Sequence, residues 1–106
     1  MRVLVDECLP RFLRRSLPGH FVETAQDCGW SGIKNGELLR HAEERFDVFL
    51  TCDKNLRYQQ NLKDRKIAII ELSRNSRAAV RVLLPQINEA LGNVIPGAYV
   101  EIHLPK

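Results

Sequence analysis

The chain has 106 residues, 44% hydrophobic and 27% charged. That suits one globular domain spanning 1–106 and excludes disordered, collagen-like and disulfide-scaffold classes. No apolar run approaches the roughly 18 residues of a membrane span. The opening MRVLVDE turns acidic too early for a signal peptide. The expected setting is cytoplasmic, with no membrane partner.

The net charge of +3 is unevenly spread. Residues 1–53 hold nine acids against seven bases, and residues 54–106 hold four acids against nine bases. A basic second half suits an anionic partner such as nucleic acid. Cys8, Cys28 and Cys52 form no CxxC, and His20, His41 and His103 have no zinc-ligand spacing. Structural thiols in a reducing compartment are expected.

The elements read in chain order as follows. Met1–Val5 is a short apolar strand that stops at Asp6-Glu7. Pro10 opens a helical stretch over Arg11 to Ser16, which Leu17-Pro18-Gly19 breaks. His20–Thr24 reads as a second strand, and 27–36 as a glycine-rich loop. Leu38, Leu39, Ala42 and Phe46 recur at helical spacing and predict a helix over 36–45. Asp47–Thr51 is a third strand, Lys54 to Leu62 a helix, and Ile67–Leu72 a fourth strand. Val80, Leu83, Leu84, Ile87 and Leu91 form the stripe of an amphipathic helix that Pro85 dents without ending. Ala98–Leu104 alternates like a partly exposed edge strand. The alternation of apolar strands and helices predicts an α/β domain. Its core is a mostly parallel sheet of four or five strands with helices on both faces.

Asp6, Glu7 and Asp53 each sit just beyond the C-terminal end of a predicted strand. In a parallel sheet those ends share one edge, where ligands bind. Glu37 opens a predicted helix along the same edge. Asp6, Glu37 and Asp53 are therefore candidates for one pocket. Crowded carboxylates stay ionised when a cation sits among them, and Mg²⁺ or Mn²⁺ prefers such oxygens. The pattern points to metal-dependent phosphoryl chemistry. Each acid also has a structural reading. Asp53 suits a helix N-cap, Asp6 or Glu7 could cap the first helix, and Glu37 complements a helix dipole.

The segments VLVDECLP, Gly19-His20, GWSGIKNGELL at 29–39 and TCDKNL at 51–56 resemble the PIN-like toxins of toxin–antitoxin pairs, relatives of PIN-domain ribonucleases. The resemblance covers residues 1–72. It implies a three-layer PIN-like domain and a metal-dependent endoribonuclease that hydrolyses RNA phosphodiesters. It also implies a small antitoxin protein as partner. By resemblance, Asp6, Glu37 and Asp53 are the catalytic residues and hold Mg²⁺ or Mn²⁺, with Glu7 and Asn55 as accessories. The sequence departs from the family at three places. Cys8 replaces a frequent Asn, Asn35-Gly36 replace positions often acidic, and Asn55 replaces a fourth acid. The thinner acidic shell implies weaker metal affinity, or one metal instead of two.

Basic residues are candidates for RNA contact: Lys54 and Arg57 after Asp53, Arg74 and Arg77 with Arg81, and Arg11 with Arg14 and Arg15. Solvated helix faces are the alternative for each cluster. Trp30 and Tyr58 suit stacking on bases or half-buried packing. A homodimer is compatible with the chain's size. Two alternatives to a nuclease stand. One is a catalytically inactive PIN-like protein that binds a partner. The other is a receiver-like phosphoacceptor domain with Asp53 as acceptor, for which Ser73 fits the hydroxyl but Lys106 is poorly placed.

Overall fold

A computed structural model describes residues 1–56 and 65–104 of the chain. Five strands form one sheet: β1 (Arg2–Val5), β2 (Phe21–Thr24), β3 (Val48–Thr51), β4 (Ala68–Leu72) and β5 (Tyr99–Ile102). The order is β2-β1-β3-β4-β5, and every neighbouring pair is parallel. β3 and β4 are buried at every residue, and β1 at all but Arg2. That is why these strands read as continuous apolar runs, since both faces are covered. The edge strands β2 and β5 are only partly buried.

The flanking elements make two cores. On one face a short 3₁₀ helix, η1 (Arg11–Arg15), and a long helix, α2 (Arg77–Asn93), bury Leu13, Val80, Leu83, Ile87 and Leu91 against Val3, Val5, Leu50 and Ile70. On the other face α1 (Asn35–Arg45) buries Leu38, Leu39 and Ala42 against Leu4, Phe49 and Ile69. The result is a three-layer α/β arrangement. Alternate residues of β1 and β3 divide between the two cores, as the two-residue period of a strand requires.

Local chemistry sets the boundaries. The Arg11–Ser16 stretch forms a 3₁₀ helix over Arg11–Arg15, with Pro10 at its N-cap and no side-chain cap, so neither Asp6 nor Glu7 caps it. Ser76 caps α2, its hydroxyl accepting the Ala79 N–H at 3.1 Å. α2 continues through Pro85, as expected. Gly97 turns the chain into β5 with φ of +80°, and a Cβ there would stand 2.9 Å from the Arg65 carbonyl oxygen. The predicted helix over 54–62 falls largely outside the described residues. No described helix is long and apolar enough to cross a membrane.

Candidate functional site

β1 is followed in the chain by β2 on one side of it, and β3 then lies on the other side. The strand order thus reverses between β1 and β3, and open α/β sheets bind ligands at the C-terminal strand ends of such a point. Asp6 lies there. Its N–H bonds the Leu50 carbonyl at 2.9 Å, extending the β1–β3 ladder by one step. Asp6 is 8% exposed. Thr51, the last residue of β3, donates its hydroxyl to Asp6 Oδ2 at 2.7 Å, and the Glu7 N–H bonds Asp6 Oδ1 at 2.8 Å.

Thr51 also reaches forward. Its Oγ1 accepts the Asp53 N–H at 3.0 Å. A hydroxyl supplies one donor and further acceptor capacity, so Thr51 serves both acids at once. The Asp53 carboxylate accepts the Asn55 N–H on Oδ1 at 2.9 Å and the Asn35 side-chain amide on Oδ2 at 2.8 Å. Asn35 begins α1, so the ends of β1, β3 and α1 converge through Asp6, Thr51, Asp53 and Asn35.

The other candidate residues point elsewhere. Glu37 lies in the first turn of α1 with its side chain 54% exposed, 3.6 Å from His41 Nε2. Glu7 turns to the β2–α1 loop, where its carboxylate accepts the Ser31 hydroxyl at 2.6 Å and the Gly32 N–H at 3.1 Å. Among the described residues, no group of three His, Cys, Asp or Glu side chains is arranged to hold a metal ion. Lys54, Asn55, Arg74 and Arg77 are exposed. Arg11 pairs with Asp27 at 2.9 Å. Arg57, Tyr58 and Lys106 lie outside the described residues. Trp30 is half-buried and stacks on His41 with ring centroids 5.6 Å apart. Ser73 Oγ accepts the Leu104 N–H at 3.3 Å, tying the end of β4 to that of β5.

The electrostatics follow from burial. Burial raises the Asp6 pKa above the ordinary carboxylate value, and hydrogen bonds from Thr51, Cys8 and the Glu7 N–H pull it partly back. Bonds from Ser31 and Gly32 lower the Glu7 pKa. Cys8 lies against Cys52, whose N–H is 3.4 Å from Cys8 Sγ. The Cys52 contact, burial and the Asp6 charge keep the Cys8 thiol protonated. Burial and Glu23 push Cys28 up to about 11. Neither Cys8 nor Cys28 is an activated nucleophile.

A cavity of about 580 Å³ is lined by Glu7, Cys8, Arg11, Asn75, Ser76 and Arg77 among others, with neither Asp6 nor Asp53 in its described lining. Another, of about 520 Å³, lies at the opposite end of the strands between Met1, Phe46, Asp47 and Ile95, away from Asp6 and Asp53.

Two residues of this network carried no role in the sequence reading. Thr51 and Asn35 looked like an ordinary strand threonine and a helix-start residue. The available signals were a hydroxyl two residues before Asp53, and an amide where the resembling family often carries an acid. Comparison of the chain with family models, with curated proteins and with solved structures found no match.

Proposed function

We propose that the chain is a metal-dependent endoribonuclease of PIN-like type, acting as the toxin of a toxin–antitoxin pair. The observation that carries this reading is the pairing of Asp6 and Asp53 through Thr51 where the strand order reverses. The resemblance of VLVDECLP and TCDKNL to PIN-like toxins supports the same assignment.

The donor chemistry of Asp6 and Asp53 suits a hard divalent cation, while a third acid is not in place beside them among the described residues. Asp6 and Asp53 offer carboxylate oxygens, and each oxygen already bonded retains acceptor capacity. Asp6 and Asp53 would hold Mg²⁺ or Mn²⁺, with Glu37 joining them after a side-chain rotation away from His41. Such a cation would supply Lewis-acid chemistry toward a phosphodiester, with Asp6 and Asp53 as the residues that would hold it.

The residues of the chain do the positioning. Thr51 and the Glu7 N–H fix both oxygens of Asp6. Asn35 and the Asn55 N–H fix both oxygens of Asp53. The carboxylates of Asp6 and Asp53 are thus preset, and only Glu37 must move to join them. The test is cleavage of single-stranded RNA by purified protein with Mn²⁺, with EDTA, and by Asp6→Asn. Cleavage that needs Mn²⁺ and Asp6 supports the reading. Cleavage that survives Asp6→Asn, or none under any divalent metal, rejects it.

A further inference from the structure

Residues 8–16 and 73–88 contain Arg11, Arg14, Arg15, Arg74, Arg77 and Arg81 but no Asp or Glu. The two segments are far apart in sequence, yet Leu9 and Leu13 of one share a core with Val80 and Leu83 of the other. All six arginines are exposed. Folding therefore gathers them along one layer of the molecule. The opposite layer, α1, mixes Glu37, Glu43 and Glu44 with Arg40 and Arg45.

Between η1 and α2 lies a cavity of about 500 Å³, lined by Arg11, Phe12, Arg14, Arg15, Ser16 and Arg81, with no acid in its wall. It shares Arg11 and Phe12 with the cavity that opens at Glu7 and Cys8 beside Asp6. Asp27 bridges Arg11 and Arg14 at 2.9 and 3.2 Å and offsets one of their two charges. Arg15, Arg74, Arg77 and Arg81 have no carboxylate partner among the described residues. The Arg81 guanidinium lies over the Phe12 ring, 4.7 Å from its centroid. Stacking holds the planar fork in place while its N–H donors remain at the rim.

We propose that these two cavities form one track for the sugar–phosphate backbone of single-stranded RNA, running from Arg15 and Arg81 past Arg11 and Arg77 to Glu7 and Cys8, the residues that follow Asp6. Exposed fork-shaped cations, four of which have no carboxylate partner among the described residues, suit successive phosphates, and the Phe12–Arg81 stack offers a flat surface for a base. The direction of the strand toward Asp6 rests on the ribonuclease reading; the track itself does not.

The experiment is fluorescence anisotropy with a labelled single-stranded RNA and the full chain in EDTA, so that binding is read without cleavage. The triple variant R14E/R15E/R81E should bind about tenfold more weakly or worse, and its log–log salt slope should be shallower by about 2, from roughly 0.7 per lost phosphate contact on a single strand. The Arg→Lys triple variant should keep the wild-type salt slope, since it keeps the charges. Unchanged affinity and slope in R14E/R15E/R81E, with circular dichroism like wild type, overturns the track. So does a wild type that fails to bind. Polyglutamate that displaces the RNA as well as unlabelled RNA of equal charge overturns the nucleic-acid assignment in favour of an acidic protein. RNA that binds through these arginines but stays intact after Mn²⁺ is added sustains the track and sinks the ribonuclease reading. RNA that is cut while the triple variant binds normally does the reverse.

Discussion

The hydroxyl of Thr51 stands 2.7 Å from the Asp6 carboxylate, and the same oxygen takes the Asp53 N–H at 3.0 Å. One fully buried side chain therefore sets the positions of two acids that are 47 residues apart in the chain. Thr51→Val keeps the shape and removes both bonds. A buried carboxylate that loses a donor costs about 1–3 kcal/mol, so urea unfolding should show that loss at neutral pH. Thr51→Ser keeps the hydroxyl and loses only a methyl. In an NMR titration, Asp6 should shift further upward in the Val variant and stay near wild type in the Ser variant. Equal Asp6 behaviour in both would remove Thr51 from its positioning role.

Asp6 itself should leave a pH signature. Its folded-state pKa is raised by burial, so the native state holds the proton more tightly than the unfolded chain. Its contribution is therefore greatest at low pH and is lost as pH rises from the ordinary carboxylate value through the raised one. Asp6→Asn abolishes that fall. The metal-free Asn variant should equal or exceed wild-type stability at neutral pH, and the difference should vanish in acid. Unfolding curves across a pH series in EDTA check this. A variant less stable than wild type at neutral pH sinks the prediction.

Glu7 carries the opposite sign. Bonds from Ser31 and Gly32 lower its pKa. The tether it gives the β2–α1 loop is present above the ordinary carboxylate value and lost as pH falls through the depressed value. The protection of the Gly32 N–H, its intrinsic exchange rate relative to the observed rate at the same pH, should fall across that window in wild type. In Glu7→Ala the Gly32 N–H should be unprotected throughout, and protection that persists in Glu7→Ala would place the tether elsewhere.

The central strands were legible because burial on both faces leaves continuous apolar runs, as in VLV at 3–5 and VFLT at 48–51. The helical periods of 36–45 and of the Val80–Leu91 stripe were legible for the same reason, since each buries one face. The placing of Asp6 and Asp53 at one edge followed from parallel topology alone. The hydrogen bonds did not. Thr51 acquires its role only through the register that pairs Val5 with Leu50 and so brings Asp6 alongside it. Asn35 bonds Asp53 across an 18-residue separation that no local pattern encodes. Glu37 lies in the first turn of α1, two residues past the Asn35 that bonds Asp53, but position in a helix says nothing of the rotamer that pairs it with His41. The arginines of 11–15 and 74–81 were visible as separate clusters, and only the shared core under η1 and α2 makes them one surface.

Gly97 gives a test of the backbone. Its φ of +80° and the Arg65 carbonyl oxygen, 2.9 Å from where a Cβ would sit, both exclude a side chain. Gly97→Ala should destabilise by about 1–3 kcal/mol. Gly92, inside α2 with open space around its Cβ position, is the control. Gly92→Ala should stabilise by about 0.5–1 kcal/mol, because alanine is the better helix former. Similar melting temperatures for the two variants would contradict the geometry.

The metal assignment is tested by stability as well as by cleavage. A ligand at a hundred times its Kd stabilises the native state by about 2.7 kcal/mol when it binds that state alone. For a chain of this size that is a rise of roughly 10 °C or more in melting temperature. Wild type should show such a rise with saturating Mn²⁺. Asp53→Ala also removes the carboxylate that accepts the Asn55 N–H, so it should lose about 1 kcal/mol without metal. Asp6→Ala removes a buried charge together with the partner of Thr51, two effects of opposite sign, so its metal-free stability should stay near that of wild type. Glu37→Ala breaks only an exposed pair with His41 and should cost less than about 0.5 kcal/mol. All three variants should then lose part or all of the Mn²⁺-induced rise, with Asp6 and Asp53 losing most. Glu37 decides between two arrangements. A smaller rise in Glu37→Ala means that its side chain leaves His41 and joins the other two acids; a full rise means that Asp6 and Asp53 hold the cation with water alone. If Mn²⁺ stabilises Asp6→Ala and Asp53→Ala as strongly as wild type, both carboxylates serve the fold and the nuclease assignment fails.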